Sequence, residues 1–354
     1  MNLIGCRLIA CAAAGVLDQL FADPRALHPI CLIGRLIAWT ERHTRPLFPR
    51  TKGGERAGGA YLVVFVLLVV VSAVCAVTLG AYRIHPVLGV AAESVLIFYA
   101  VAEKSLERES YAVYRAMNAE GLVCARRAVA RIVGRDTETL SEAGVVKATV
   151  ETVAENASDG VIAPLLFAFL GGAPFAYFYK AVNTMDSMVG YRNEVYRDYG
   201  TAAARLDDAL NFIPARLSAL FLLLAFALRK VWAAVFPARA GRVHRGGEPF
   251  PDDMRQELQN RRVRDVWRVY LIYRRCHASP NSGQTESVMA GALGVELAGP
   301  ASYFGEIHEK PTIGEKTREV ERADILRAIS LLRAGTYLFW LCGLLVLEAL
   351  WLLL

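Results

Sequence analysis

At 354 residues, 55% of them hydrophobic, and with a mean hydropathy of +0.32, the chain is more apolar than an ordinary soluble domain. Its formal charge of +6 is modest and spread over loops, which argues against nucleic acid as a partner and fits inner-leaflet orientation or anionic ligands. The seven cysteines form no Cys-x-x-Cys pair, so neither a disulfide framework nor a zinc site is expected.

In chain order, the first apolar block, residues 3–20, carries Arg7 and ends in Asp18 and Gln19 rather than a small-x-small cleavage site. It reads as a retained membrane segment, not a signal peptide. Residues 61–82 run without a charge and, at about 1.5 Å per residue, cover a hydrocarbon core of roughly 30 Å. A short turn at Arg83–Pro86 leads into a third segment, 87–102, interrupted by Glu93. Residues 161–179 contain Gly171–Gly172 between Pro164 and Pro174. Glycine pairs and prolines break helices, so this stretch is expected to be either a broken or re-entrant hairpin, whose irregular backbone would line a protein-buried cavity, or a straight crossing. Residues 214–236 hold only about a dozen apolar positions, Leu217–Leu228, and form a short segment; residues 334–354 close the chain with a clear span. The expected fold class is all-α: a polytopic helical membrane protein, with residues 1–354 a single integral membrane domain.

Polar regions at 23–60, 103–160, 180–213 and 239–333 separate these blocks. The first and last are rich in arginine, which places them on the cytoplasmic face. Counting every apolar block as a crossing would split the polar loops between the two sides, so the two untidy stretches decide the topology.

Five constellations carry chemistry. In Glu151–Gly160 (ETVAENASDG), Glu151, Glu155 and Asp159 fall at i, i+4, i+8. On a helix they would stack as mutually repelling carboxylates, which a hard cation such as Mg²⁺ would compensate; the plain alternative is a solvated helix face. In Lys180–Glu194, Lys180, Asn183, Asp186 and Ser187 share one helical face, followed by Arg205, Asp207, Asp208, Asn211 and Arg216. Lysine suits phosphate, aspartate a metal, and asparagine and serine neutral hydrogen bonds; the alternative is an amphipathic connector burying Met185, Met188 and Val189. His277–Gly283 (HASPNSG), followed by Glu286, is turn chemistry that presents hydroxyls and an amide, or simply a loop before a helix. Glu309–Lys316 (EKPTIGEK) is not a phosphate loop, because Gly-x-x-x-x-Gly-Lys-Ser/Thr is absent from the chain. Asp23, Pro24, His28 and Pro29 form the fifth, a pattern that is more often structural. No Gly-x-Ser-x-Gly, His-Glu-x-x-His or dinucleotide fingerprint occurs, so hydrolase, zinc-protease and NAD-enzyme readings lack support.

Taken together, these stretches resemble the CobD/CbiB family of cobalamin biosynthesis. The matching residues are DxxFADPxxxHP with Gly34, ETVAENxSDGVIAPL, GGAP…YKAVNTMDSMVGYRNExYxxYG, ARLDDxxNFIPARL, SPNSGxxESxMAGALGVxLxGPxSYFG and EKPTIG, in family order over nearly the whole chain. The chain departs from the pattern beside His277, where Cys276 and Ala278 stand.

The resemblance implies a ligase that joins aminopropanol or its O-phosphate to the free propionate of adenosylcobyric acid, with ATP making an acyl phosphate and Mg²⁺ assisting. It further implies a multi-pass cell-membrane protein with its active loops facing the cytoplasm, in contact with lipid and with other membrane-bound cobalamin-assembly enzymes. On this reading Glu155, Asp159 and Asp186 would bind Mg²⁺ and phosphate, and Lys180, Arg192, Arg205 and Lys310 would neutralise phosphate. Asn156, Asn183, Ser187, Asn193, Ser279, Asn281, Ser282 and Glu286 would orient substrates, and Asp207 or Asp208 would deprotonate the amine. The competing reading is an AmpE-like membrane signalling protein or a corrinoid transporter, since transporters place ionisable residues on broken helices.

Overall fold

A computed structural model describes residues 2–21, 28–191, 193–235, 261–277, 279–303 and 305–353. Asp23, Pro24 and Arg192 therefore lie outside the described residues. Thirteen helices carry almost all of the regular structure described, and six helical stretches are long and apolar enough to cross a membrane. The protein is a polytopic helical membrane protein. Two compact units emerge: Met1–Lys104 with Asp159–Pro214 and Trp340–Leu354, and Ser105–Ser158 with Ala215–Phe339.

In the first unit, α1 (Leu3–Leu20) starts at Asn2, whose side chain accepts from Gly5 N at 2.9 Å. Helix α2 (Pro29–Thr44) starts at His28, whose Nδ1 accepts from Ile30 N, with Pro29 in the first turn, where a missing N–H costs nothing. Helix α3 runs from Lys52 to Ile84, about 50 Å at helical rise. It begins nine residues before the uncharged run because Gly58 and Gly59 pack closely: a Cβ on Gly59 would overlap the Tyr199 carbonyl. Helix α4 (Pro86–Ala100) packs on α1 and α3.

Helix α8 (Ala163–Val189) bends at Gly171 and Gly172, whose backbone leaves helical values; Gly172 has φ +68°. The second half starts at Ala173, whose N–H donates to Glu93 Oε1 at 3.2 Å, while Glu93 Oε2 accepts from Tyr82 OH at 2.6 Å. A Cβ at Gly172 would overlap Glu93 Oε1, so glycine is required here by both conformation and space. Helix α9 (Thr201–Leu210) completes this unit's packing against α3 and α8.

The second unit takes in the body of α5 (Glu103–Ala119), α6 (Leu122–Val129) and α7 (Glu142–Asn156), which Ser141 caps by accepting from Gly144 N. It also holds most of α10 (Phe212–Val235), with α11 (Val263–Tyr273) and α12 (Ser282–Leu293). Helix α12 is buried along nearly its whole length because it is built of small residues; Gly291 meets Val266 and Val269 of α11 closely. It ends at Gly294 with φ +71°, the left-handed position that favours glycine.

Two short antiparallel ribbons, which the periodicity of the sequence does not announce, follow α12. Strand β1 (Leu297–Ala298) pairs with β4 (Thr312–Ile313), and β2 (Ala301–Tyr303) pairs with β3 (Glu306–His308). Helix α13 (Ala323–Leu353) closes the chain.

Between α7 and α8, residues Ala157–Ile162 form a π-helical turn. This corrects the expected stack of Glu151, Glu155 and Asp159. Glu151 and Glu155 keep α-helical spacing on α7, but the wider turn carries Asp159 off their row.

Candidate functional site

The second unit holds a polar cavity of about 160 Å³. Helix α7 contributes Glu151, Thr152, Glu155 and Asn156, α12 contributes Glu286, and the turn before α12 contributes His277. Residues 132–135, Ala298, Gly299, Tyr303 and Lys310 complete the wall.

Glu151 is fully engaged. It pairs with Arg135 and accepts the Ala298 N–H at 2.8 Å. Ala298 delivers that N–H from φ +59°, a left-handed conformation that is strained for a residue with a Cβ. Asp136 ties the neighbouring loop down by accepting from Ser302 Oγ at 2.5 Å and Gly305 N at 2.8 Å. Burial opposes the Arg135 charge, but pairing with Glu151 outweighs it, so its pKa rises.

Glu155 accepts from Ser282 Oγ at 3.1 Å, which links the start of α12 to α7. Glu286 is 4% exposed, and its Oε2 lies buried without a hydrogen-bond partner. Burial, together with the Glu151 and Glu155 carboxylates, pushes the Glu286 carboxyl well above its usual range. Lys310 Nζ donates to Tyr303 OH at 2.7 Å and lies over the same ring. His277 Nδ1 accepts from Ser279 N at 3.0 Å, which leaves the ring proton on Nε2 when the imidazole is neutral. Burial lowers the His277 pKa, Glu155 opposing and Lys310 assisting. The chemical character is a small chamber with one neutralised carboxylate, two further carboxyl groups, an ammonium and a neutral imidazole.

A second polar cluster occupies the first unit. Asp207 accepts from Asn183 at 3.3 Å and from Asn211 at 3.0 Å, one amide on each oxygen. Tyr179 OH donates to Asn211 Oδ1 at 2.8 Å. Lys180 is buried and Asp186 half-buried on the same helix. Among the described residues, these amides and the carboxylate hold one another in place.

The sequence-derived candidates therefore separate into two sets. Glu155, Asn156, Glu286 and Lys310 line the chamber, with Ser282 bonded to one of its walls. Ser279 and Asn281 shape the turn beneath it: Asn281 N donates to Ser279 Oγ, and Arg216 reaches Asn281 Oδ1 at 3.5 Å. Lys180, Asn183, Asp186 and Asp207 belong to the second cluster, while Asp208 and Asp159 are half-buried in the same unit. Ser187 is exposed and bonded to its own helix backbone, Asn193 Oδ1 caps a local turn through Tyr196 N, and Arg205 is exposed. Sequence reasoning did not single out Arg135, Tyr303 or the chamber position of His277. Among the described residues, no group of three or more His, Cys, Asp or Glu side chains is placed to hold a metal ion.

The comparisons with known proteins agree with one another. The family model for CobD/Cbib protein matches residues 11–332. Cobalamin biosynthesis protein CobD of Clostridium perfringens is 37% identical over 333 residues, covering 94% of this chain and 95% of that protein. The CobD of Geobacter metallireducens is 44% identical over 309 residues, covering 87% and 86%. Cobalamin biosynthesis protein CbiB of Salmonella choleraesuis is 41% identical over 332 residues, covering 92% of each. No solved structure matches the chain. Matched by the family model over residues 11–332 and by a 37% identical relative over 94% of its length, the chain belongs to the CobD/CbiB family.

Proposed function

We propose that this protein acts in cobalamin biosynthesis by forming an amide bond between aminopropanol, or its O-phosphate, and the free propionate of adenosylcobyric acid. The names of its relatives support the pathway. The observation that carries the reaction type is the buried Glu286 carboxyl, with one oxygen unpartnered, in a chamber shared with Glu155, His277 and Lys310.

The chemistry demands such a group. A carboxylate is a poor electrophile, and ATP with Mg²⁺ supplies the activation it lacks. Magnesium commonly keeps one or two carboxylates and the phosphates of its substrate as ligands, so on this reading it arrives on the nucleotide rather than in a cage of protein ligands. An alkyl ammonium is not a nucleophile until it loses a proton. A carboxylate with raised proton affinity accepts that proton more readily than an ordinary one, and Glu286 has that property. We assign the base to Glu286 rather than to Asp207, whose two oxygens already accept amides. Asp208 has no place in the chamber lining. Arg135 is paired with Glu151 and sets the wall; Lys310 supplies positive charge. On this reading the chamber faces the cytoplasm, where the nucleotide is found.

The experiment is reconstitution of the detergent-solubilised protein with adenosylcobyric acid, ATP–Mg²⁺ and either amine, followed by product mass. A product heavier by the amine less water is expected; its absence with both amines overturns the reading. Deletion of the gene should abolish cobinamide synthesis and leave corrinoid uptake intact, which separates a ligase from a transporter.

A further inference from the structure

We propose that the face shared by α2 and α3 in the first unit binds one anionic phospholipid, its phosphate on Arg42 and Arg50 and an acyl chain against the apolar stretch further along the same two helices.

Helices α2 and α3 follow one another in the chain and pack together, so positions counted back along α2 and forward along α3 run side by side. At their connected end lies a cavity of about 500 Å³ lined by Glu41, Arg42, Arg45, Arg50 and Glu55. Its charges are unequal. Arg45 engages both carboxylates, Glu41 at 3.0 Å and Glu55 at 2.7 Å, and also donates to the Val195 carbonyl. Among the described residues, Arg42 and Arg50 make no ion pair or hydrogen bond, and both are exposed. Three guanidiniums against two carboxylates leave a net positive charge, with two planar donor forks open to a phosphate.

The next layer is aromatic. Trp39 stands three positions back from Arg42, and Tyr61 and Phe65 stand six and ten positions on from Glu55. Their rings stack in a row, Trp39 on Phe65 with centroids 6.3 Å apart and Phe65 on Tyr61 at 5.9 Å. Trp39 is 51% exposed and Tyr61 44%. Amphipathic rings left open in this way settle at the level of lipid headgroups.

Beyond the rings, a second cavity of about 250 Å³ is lined by Leu32, Ile33 and Leu36 of α2, Val69 and Ala73 of α3 and Leu96 of α4. Ile33 is nine positions from Arg42 and Val69 fourteen from Glu55, which at helical rise puts the apolar stretch about 14–21 Å from the basic end. Half of a hydrocarbon core is about 15 Å deep. Basic, aromatic and apolar groups thus succeed one another along both helices in the order, and over the depth, of a single phospholipid. A helix of another membrane protein would cover the apolar stretch and leave Arg42 and Arg50 without an anion. Charge complementarity therefore selects lipid.

The test is native mass spectrometry of the detergent-solubilised full chain, titrated with dioctanoyl phosphatidylglycerol, dioctanoyl phosphatidylcholine and glycerol 3-phosphate. A basic side chain facing an anionic lipid surface contributes about a fivefold factor, so two predict roughly twentyfold tighter binding of phosphatidylglycerol than of phosphatidylcholine. Glycerol 3-phosphate, which lacks the chains, should not bind at concentrations that saturate the lipid site. The double variant Arg42→Gln, Arg50→Gln should lose the preference and bind phosphatidylcholine as the wild type does. Ala73→Trp, at an exposed position lining the apolar cavity, should weaken both lipids severalfold and keep the preference. Equal wild-type affinity for the two lipids overturns the proposal and leaves an apolar face for a protein helix. A preference untouched by the double variant overturns it as well. Glycerol 3-phosphate binding as tightly as phosphatidylglycerol overturns it in favour of a soluble anion. Should the double variant fail to fold, unchanged lipid affinities in Ala73→Trp overturn it alone.

Discussion

Ser282 Oγ donates to Glu155 Oε1 at 3.1 Å, across 127 residues of sequence. The bond fixes the rotamer of a chamber carboxylate from the first residue of α12. Ser282→Ala removes about 1 kcal/mol of net interaction, so the expected effect is roughly a fivefold rise in KM for the amine, with little change in KM for the corrinoid. Steady-state kinetics varying each substrate separately check the split; equal changes in both KM values would refute it.

The Arg135–Glu151 pair makes a sharper prediction, because both partners are largely buried. Removing one partner leaves an uncompensated buried charge, a cost of about 3–5 kcal/mol. Glu151→Ala and Arg135→Ala should each lower the melting temperature strongly, and the double variant should melt well above the sum of the two losses. An additive double-mutant cycle would show that the pair does not act as a unit.

Glu286 predicts a direction for pH. Its folded-state pKa lies above the ordinary carboxylate value of 4.5. Below that value both states are protonated and no difference arises. As pH rises above it, the unfolded chain ionises first, so stability falls until the folded-state pKa is passed. Glu286→Gln should flatten this part of the curve. Melting temperatures of the two proteins across the acid-to-neutral range supply the comparison, and parallel curves would contradict it.

Gly172 is tested within the membrane segment. An alanine there faces both a backbone conformation essentially reserved for glycine, costing about 1–3 kcal/mol, and overlap with Glu93 Oε1. Gly172→Ala should lower yield and melting temperature in detergent, and Gly172→Ala with Glu93→Ala should recover only the part due to overlap. Full recovery would mean that the backbone conformation contributes nothing.

Much of this architecture is written in local pattern. Helix α1 begins and ends at the bounds of its apolar block, and the Gly171–Gly172 pair marks the break in α8, because hydropathy and glycine content act over one or two turns. The π turn at Ala157–Ile162 was hidden because no residue type in ASDGVI demands a wider turn. The start of α3 was hidden for a different reason: its glycines look like helix breakers until Tyr199, far along the chain, is seen to need the room they leave. At the site, Glu155, Asn156, Glu286 and Lys310 were recognisable as polar groups in unusual company. Arg135 was not, since it stands in the loop between α6 and α7 and its importance comes from its partner Glu151 on α7. His277 stands where the chain departs from the family pattern, at Cys276 and Ala278, and its place is set by the backbone of the turn, through Ser279 N.

The Glu93 carboxyl also imposes a sequence of events on biogenesis. Tyr82 precedes it by 11 residues, so one oxygen finds its donor as soon as α3 and α4 pair in the bilayer. The other waits for the Ala173 N–H, 80 residues downstream. Until α8 emerges from the ribosome, the inserting hairpin carries a half-satisfied carboxyl in lipid, which favours its staying beside polar surroundings. Nascent chains stopped before Ala173 should accordingly be extracted from membranes more easily than chains reaching past Val189, and the gap should close when Glu93 is replaced by leucine.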